Sequence, residues 1–281
     1  MTFTCPAPAK LNLFLHITSR RPDGYHNLQT IFQFLDYGDD LHFNLRTDGK
    51  INCELANNIE IPVEQNLIYK AALYLQHYTN THYGVDIKVD KRIPLGGGLG
   101  GGSSNAATTL LVLNQLWECH LDATTLMQLG LRLGADIPVF IQGQAAWAEG
   151  VGEKLTPVTL PEPWFLVIHP NCHVPTAEIF TAPDLTRNQE IVTIDDFLAG
   201  RTINVCESVV IQRYPEVKQA LSWLNRYSIA RLTGTGACLF ACFSEKDQAQ
   251  AVLNIVPQSW QAFLAQGKNI SPVIKKLATL K

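Results

Sequence analysis

The sequence predicts an α+β protein in two domains, and three observations carry that prediction. First, a glycine-dense stretch from Pro94 to Ala107 follows an alternating segment and feeds an apolar helical pattern, so strand, turn and helix succeed one another directly. Second, the strand before it alternates Val85, Ile87 and Val89 with Asp86, Lys88 and Asp90, the pattern of a half-solvated strand and not of a parallel strand buried on both faces. Third, Pro161-Glu162-Pro163 interrupts a 281-residue chain, and strand and helix patterns resume beyond it. The chain therefore divides into residues 1–160 and 161–281.

From the start, Cys5 to Ile17 alternates, with Leu11, Leu13, Leu15 and Ile17 on one face and Lys10, Asn12, Phe14 and His16 on the other, which predicts a strand with a polar face. Arg20-Arg21-Pro22-Asp23-Gly24 is turn chemistry, and Tyr25 and His26 sit at its edge before a second apolar segment, 28–35. Two shorter strand-like pieces follow at 41–45 and 51–55. Asn66 is placed to cap a helix through Leu67, Ala71, Leu75 and Tyr78.

Between Gly96 and Gly102 six of seven consecutive positions are glycine, and Ser103 and Ser104 follow. Without Cβ atoms, successive backbone N–H groups can turn toward one point and a ligand can approach the main chain closely. Ser103, Ser104 and Asn105 offer side-chain caps to the next helix, whose Ala106, Leu110, Leu113 and Trp117 recur at helical spacing. An anion held by the loop would meet the positive end of that helix, so the stretch reads as a phosphate cradle. A flexible linker would be flanked by polar low-complexity sequence, and here it is not. Gly96, Gly98 and Gly101 satisfy the G-x-G-x-x-G dinucleotide pattern, but a half-solvated strand does not suit that fold. The Gly-Lys-Ser/Thr ending of a Walker loop is missing as well, so any lysine for the phosphates comes from elsewhere.

Downstream, Asp122 is placed to cap a helix over Leu126, Leu129 and Leu133 that stops at Gly134. This delivers Asp136 between small residues and ahead of the apolar Ile137, Val139, Phe140 and Ile141, as a turn cap or as a reacting group. Residues 144–149 and 154–158 flank Gly150-Val151-Gly152 as a hairpin. In the second half, 164–169 reads as an apolar strand, 175–180 as a short helix, and helical patterns fall at 194–198, 205–212 and 217–227. A tight turn at Gly234-Thr235-Gly236 precedes a strand at 239–243, and a helix at 249–256 and a strand at 260–265 complete a split β-α-β arrangement.

Composition narrows the function class. A chain 46% hydrophobic and 17% charged is globular, and a net charge of −3 gives nucleic acid or an acidic membrane no global attraction, so a polyanionic ligand would depend on local donors. No apolar run approaches the ~20 residues that span a bilayer, and no secretory leader pattern is present, so a cytoplasmic protein without membrane partners is expected. Seven cysteines without a C-x-x-C pair suit reduced thiols, and the eight histidines are not read as a zinc site.

The stretch from Pro94 through Ser104 resembles the nucleotide loop of the GHMP kinases, the family of galactokinase, homoserine kinase, mevalonate kinase and phosphomevalonate kinase. Further motifs agree: P-A-K-L-N-L at 8–13, R-P-D-G-Y-H at 21–26, G-A-D-I-P-V-F at 134–140 and L-T-G-T-G-A-C at 232–238. The doubled triple glycine is similar to the branch that phosphorylates a cytidine diphosphate alcohol on the non-mevalonate route to isoprenoids. The resemblance implies a ribosomal-protein-S5-domain-2-like first domain that binds ATP, a ferredoxin-like second domain, and an active site in the cleft between them. It implies ATP and Mg²⁺ as cofactors and a small-molecule substrate. Lys10 and Asp136 would be catalytic. Pro94, Leu95, Gly96, Gly97, Gly98, Leu99, Gly100, Gly101, Gly102, Ser103 and Ser104, with Asn66, Gly234, Thr235 and Gly236, would hold ATP. Asn12, Tyr25, His26, Thr176 and Phe180 would hold the substrate, Tyr25 and Phe180 flanking the cytosine and His26 at its edge. Ser103 or Ser104 is the candidate for Mg²⁺, and no position matches the further glutamate that some relatives use. Whether Asp136 deprotonates the hydroxyl or positions it stays open, as does the choice between monomer and homodimer. Two other readings share the fold: a kinase for a different alcohol, and a catalytically silent binding member, which loss of Lys10 or Asp136 would favour.

Overall fold

The computed structural model describes residues 2–55, 62 and 64–280. Strands β1 (Thr2–Arg20) and β2 (His26–Arg46) pair antiparallel along their length. The pieces expected at 28–35 and 41–45 are thus parts of one strand. Asp36 to Asp40 has the composition of a turn, yet Asp39 is fully buried and satisfied within the strand. Its carboxylate accepts from Lys91 Nζ at 2.6 Å and from the N–H groups of Arg92 and Ile93 at 2.7 and 2.8 Å. The polar face of β1 is buried too: Lys10, Asn12 and His16 are each under 5% exposed. The β1 ladder shifts register between Pro8 and Lys10 and again between Asn12 and Leu15, and such bulges re-aim the side chains beside them.

β3 (Ile51–Leu55) pairs parallel with β4 (Gly84–Asp90) after a crossover through α1 (Leu67–Thr79), and β4 pairs antiparallel with β2. β4 buries Val85, Ile87 and Val89 and exposes Lys88 and Asp90, the expected alternation. Asn66 caps α1, its side-chain oxygen accepting from the N–H groups of Ile68 and Tyr69. α2 (Gly101–Leu116) begins earlier than the serines suggest. Its N-cap is Gly100 in the left-handed conformation at φ 71, no side chain caps it, and Ser103, Ser104 and Asn105 lie inside its first turns. α3 (Ala123–Leu133) is capped by Asp122 and ends at Gly134, and α4 (Ile137–Gln142) follows at once. The hairpin of β5 (Ala146–Glu149) and β6 (Lys154–Pro157) attaches to β2 at Thr30 to Phe32.

The proposed boundary at 160/161 lies between β6 and β7 (Trp164–His169). Then come α5 (Thr176–Thr181), α6 (Ile194–Leu198), α7 (Val205–Arg213), α8 (Pro215–Leu224), β8 (Ala230–Leu232), β9 (Leu239–Phe243), α9 (Lys246–Leu253) and β10 (Gln261–Lys268). Their strand order, β10-β7-β9-β8 with every pairing antiparallel, is the split β-α-β arrangement. β8, three residues long, is too short to show a period in the sequence. β10 runs on past β7 to pair Gly267 and Lys268 with Leu35 and Phe34 of β2, which joins both halves into one ten-stranded sheet. Residues 161–281 read as one second domain in the sequence, whereas α10 (Pro272–Leu277) returns to the first half, where Val273 and Leu277 pack with Leu110, Leu113 and Phe140 in its core. A second core packs β7, β8 and β9 against α5, α7, α8 and α9. A third, with Leu11, Ile31, Leu35, Phe165, Val167 and Phe240, spans both halves and fixes them against each other. Burying each such side chain stabilises the fold by roughly 1.5–3 kcal/mol before entropy is counted.

Candidate active site

A cleft of about 650 Å³ lies where the halves meet. Lys10 projects into it from the bulged part of β1, with its own N–H donating to Leu99 O at 3.0 Å in the glycine loop. Its Nζ lies 3.3 Å from Asp136 Oδ2, donates to Gly98 O at 3.1 Å and to Asn12 Oδ1, and stands 5.3 Å from the centre of the Phe32 ring. A buried ammonium costs several kcal/mol unless paired, and here three acceptors match its three N–H donors. Asp136 precedes α4 but caps nothing, and its side chain is 35% exposed to the cleft. It is therefore available to a ligand, held at one oxygen by Lys10.

The glycine loop is anchored by its carbonyls. Gly96 O accepts from Ala237 N–H at 3.3 Å, Gly97 O from Cys238 N–H at 3.1 Å, and Gly98 O from Thr233 Oγ1 at 3.4 Å as well as from Lys10. Gly98 has φ +74, and a Cβ there would stand 2.2 Å from Thr233 O, so only glycine fits between the two loops. Among the described residues, no N–H from Gly96 to Ser103 donates a hydrogen bond within the protein. Backbone donors in a concave loop, continued by the uncapped first turn of α2, form an anion site. At its root, the Asp39–Lys91 pair holds the chain entering the loop, and desolvation pushes the Lys91 ammonium below its ordinary pKa.

On the other side, His26 is nearly buried and stacks on Phe180 with ring centroids 5.5 Å apart at 20°. Arg187 Nε donates to His26 Nε2 at 3.1 Å. Burial, aided by the Arg187 and Arg20 cations, moves the imidazole below its ordinary pKa. The Thr176 and Thr235 hydroxyls lie 3.0 Å apart, linking α5 to the turn at 234–236. Tyr25 is 63% exposed at the rim.

Most of the residues read from the sequence line this one cleft, including Lys10, Asn12, Tyr25, His26, 94–103, Asp136, Thr176, Phe180, Gly234 and Thr235. Three do not. Ser104 is fully buried behind the loop with its Oγ unpartnered, because the earlier helix start turns it inward and leaves Ser103 at the cleft. Asn66 lies outside the lining, its side-chain oxygen engaged as the α1 cap, and Gly236 also lies outside it, beside Leu232. The flat space expected next to Phe180 is taken on one side by the His26 ring. Lys91, Arg20 and Arg187 also line the cleft, outside the motifs read from the sequence. Lys91 carries a sequence signal as the basic residue that follows the strand before the loop. Arg187 sits in an aperiodic stretch and gives no signal.

The GHMP kinases N terminal domain model matches residues 66–144 and the GHMP kinases C terminal model matches 183–262. The chain is 55% identical over 277 residues to the 4-diphosphocytidyl-2-C-methyl-D-erythritol kinase of Pseudomonas aeruginosa, covering 98% of this chain and 97% of that protein. Identity to the kinase of the same name from Nitrosococcus oceani is 56% over 266 residues, covering 95% of each. A crystal structure of 4-(cytidine 5'-diphospho)-2C-methyl-D-erythritol kinase superposes with a TM-score of 0.82 at 30% identity, over 94% of this chain and 99% of that one. The homoserine kinase of Cytophaga hutchinsonii shares the fold, with a TM-score of 0.66 at 17% identity over 94% of each chain.

Proposed function

The chain belongs to the GHMP kinases, and from that premise we propose that it transfers the γ-phosphoryl group of ATP to the 2-hydroxyl of 4-diphosphocytidyl-2-C-methyl-D-erythritol, releasing ADP, in the non-mevalonate synthesis of isoprenoid precursors. The observation that carries a kinase reading is the row of unbonded N–H groups from Gly96 to Ser103 sharing one cleft with the Lys10–Asp136 pair. Phosphoryl transfer asks the protein for alignment and charge stabilisation more than for covalent work. The attacking hydroxyl oxygen bonds to the γ-phosphorus as the bond from that phosphorus to the bridging oxygen of ADP breaks. Asp136 orients the hydroxyl and receives its proton as the new bond forms. Lys10, fixed on Asp136 and Gly98, keeps a positive charge between carboxylate and phosphates. The loop N–H groups receive the phosphate oxygens, and the pocket of His26 and Phe180 takes the cytosine.

The residues at the cleft fit Mg²⁺ as the companion of ATP. Ser103 offers a hard oxygen donor there, for a cation liganded mostly by phosphate and water. When bound, it neutralises phosphate charge. Among the described residues no helix is long and apolar enough to cross a membrane, and we place the enzyme in the cytoplasm with its small-molecule substrates. The test is to incubate the protein with ATP, Mg²⁺ and the cytidyl alcohol, galactose, homoserine or mevalonate, following ADP release and the phosphorus spectrum of the product. Turnover of another alcohol in preference to the cytidyl compound overturns the proposal.

A further inference from the structure

Arg187 lies outside the glycine loop and the Lys10–Asp136 pair, yet it makes four hydrogen bonds at the substrate end of the cleft. Its Nη2 donates to the carbonyls of Phe180 at 2.9 Å and Ala182 at 2.7 Å, and its Nη1 to that of Leu185 at 3.0 Å. These fix the guanidinium at the end of α5. Its Nε then donates to His26 Nε2 at 3.1 Å, across from the loop of 182–187 to the first residue of β2. A guanidinium stays protonated and has no acceptor, so the imidazole nitrogen facing it must be the acceptor. The proton of neutral His26 therefore sits on Nδ1, the ring's remaining polar atom, which has no protein partner among the described residues.

We infer that Arg187 is a positioning residue for base recognition: by holding His26 in the Nδ1–H tautomer, it makes that ring edge a hydrogen-bond donor and selects a pyrimidine whose N3 is an acceptor. This rests on the proposed cytidine substrate. The discriminating position is N3, an unprotonated acceptor in cytosine and an N–H donor in uracil, since O2 accepts in both bases. The opposite tautomer would turn Nδ1 into an acceptor and remove the preference. Arg187 also sets ring geometry, because the carbonyls it binds belong to Phe180 and its neighbours, and Phe180 stacks on His26. The lowered pKa of His26 is consistent with a ring kept neutral beside a cation.

The experiment uses full-length protein labelled with ¹⁵N at histidine. Long-range ¹H–¹⁵N spectra, with the His26 signals assigned through His26→Gln, report which ring nitrogen carries the proton. Wild type should show Nδ1–H. Arg187→Met, which keeps the aliphatic stem, should show the Nε2–H form gaining population. Its ratio of affinities for CDP over UDP should fall roughly fivefold to a hundredfold, the range of one mismatched buried hydrogen bond, while affinity for a non-hydrolysable ATP analogue stays within about twofold. Arg187→Lys, which retains a donor, should recover part of the ratio. A wild-type spectrum showing the proton on Nε2 overturns the inference without any variant, as does Arg187→Met retaining both the Nδ1–H form and the wild-type ratio. Failure of wild type to bind CDP would instead overturn the cytidine reading, and the spectra would still decide whether Arg187 sets the tautomer.

Discussion

Lys10 Nζ and Asp136 Oδ2 stand 3.3 Å apart, one side chain buried and the other open to the cleft, so the pair has one partner held in the protein and one presented to a ligand. If Asp136 orients the hydroxyl and takes its proton, Asp136→Asn should keep the fold and the affinity for nucleotide but lower kcat by roughly 10²- to 10⁴-fold. Steady-state kinetics beside a melting curve decide it. Turnover within a few-fold of wild type at unchanged Tm removes Asp136 from the chemistry.

Gly98→Ala should damage both the cradle and the fold. Its Cβ would stand 2.2 Å from Thr233 O at a residue with φ +74, so the two loops must separate. We expect a lowered Tm and an ATP affinity weakened about tenfold or more. Gly102→Ala is the control, since its Cβ would meet only Leu67 Cδ1 at 3.5 Å, and its Tm should hold or rise. Equal effects of the two variants on Tm would contradict the tie between the loops.

Phe180→Ala should raise KM for the cytidyl substrate about fivefold to a hundredfold, the scale of base stacking, with little change in KM for ATP. Tyr25→Ala should act in the same direction but less strongly, because Tyr25 is 63% exposed whereas Phe180 packs on His26. CDP should compete with the substrate and not with ATP. Equal loss of both affinities would place these rings in the scaffold instead of the site.

His16 supplies a pH dependence. It is 4% exposed, its Nε2 accepts from Ile203 N–H at 3.3 Å, its Nδ1 has no partner, and burial lowers its pKa. The unfolded chain therefore binds the proton more readily than the folded one. Stability from this residue is fully present above the unfolded value of about 6.5 and is lost as pH falls through the lower folded value. Urea unfolding at pH 5 to 8 should show that decline, and His16→Gln should flatten it, leaving the part due to His26 and His169, whose values are also lowered. An unchanged slope in His16→Gln would assign the titration elsewhere.

The glycine loop, the strand before it and the caps at Asn66 and Asp122 could be read from local chemistry, because glycine runs and polar caps act through their own backbone. Lys10 and Asp136 were recognisable by motif, but nothing in their spacing says that β1 and the head of α4 converge. Asp39 hid the continuity of β2, since an aspartate satisfied by Lys91 and two backbone N–H groups from a distant segment looks in sequence like a turn residue. Ser104 does not cap α2, for a related reason. Serine is a good helix cap, but Gly100 begins α2 earlier and turns Ser104 into the interior. Arg187 and the return of α10 depend wholly on tertiary contacts.

The placement of Val273 and Leu277 in the core of the first half, and of Gly267 and Lys268 beside β2, has a consequence during synthesis. A ribosome delivers the glycine loop long before it delivers these residues, and a domain usually folds as it emerges. Here the interior of the half translated first is completed by Val273 and Leu277, and its sheet is joined to the second half by Gly267 and Lys268, all translated near the end. The nascent nucleotide site is thus the early-made part that matures late, and a chain arrested just after α9 would carry every motif of the cleft on an unfinished scaffold.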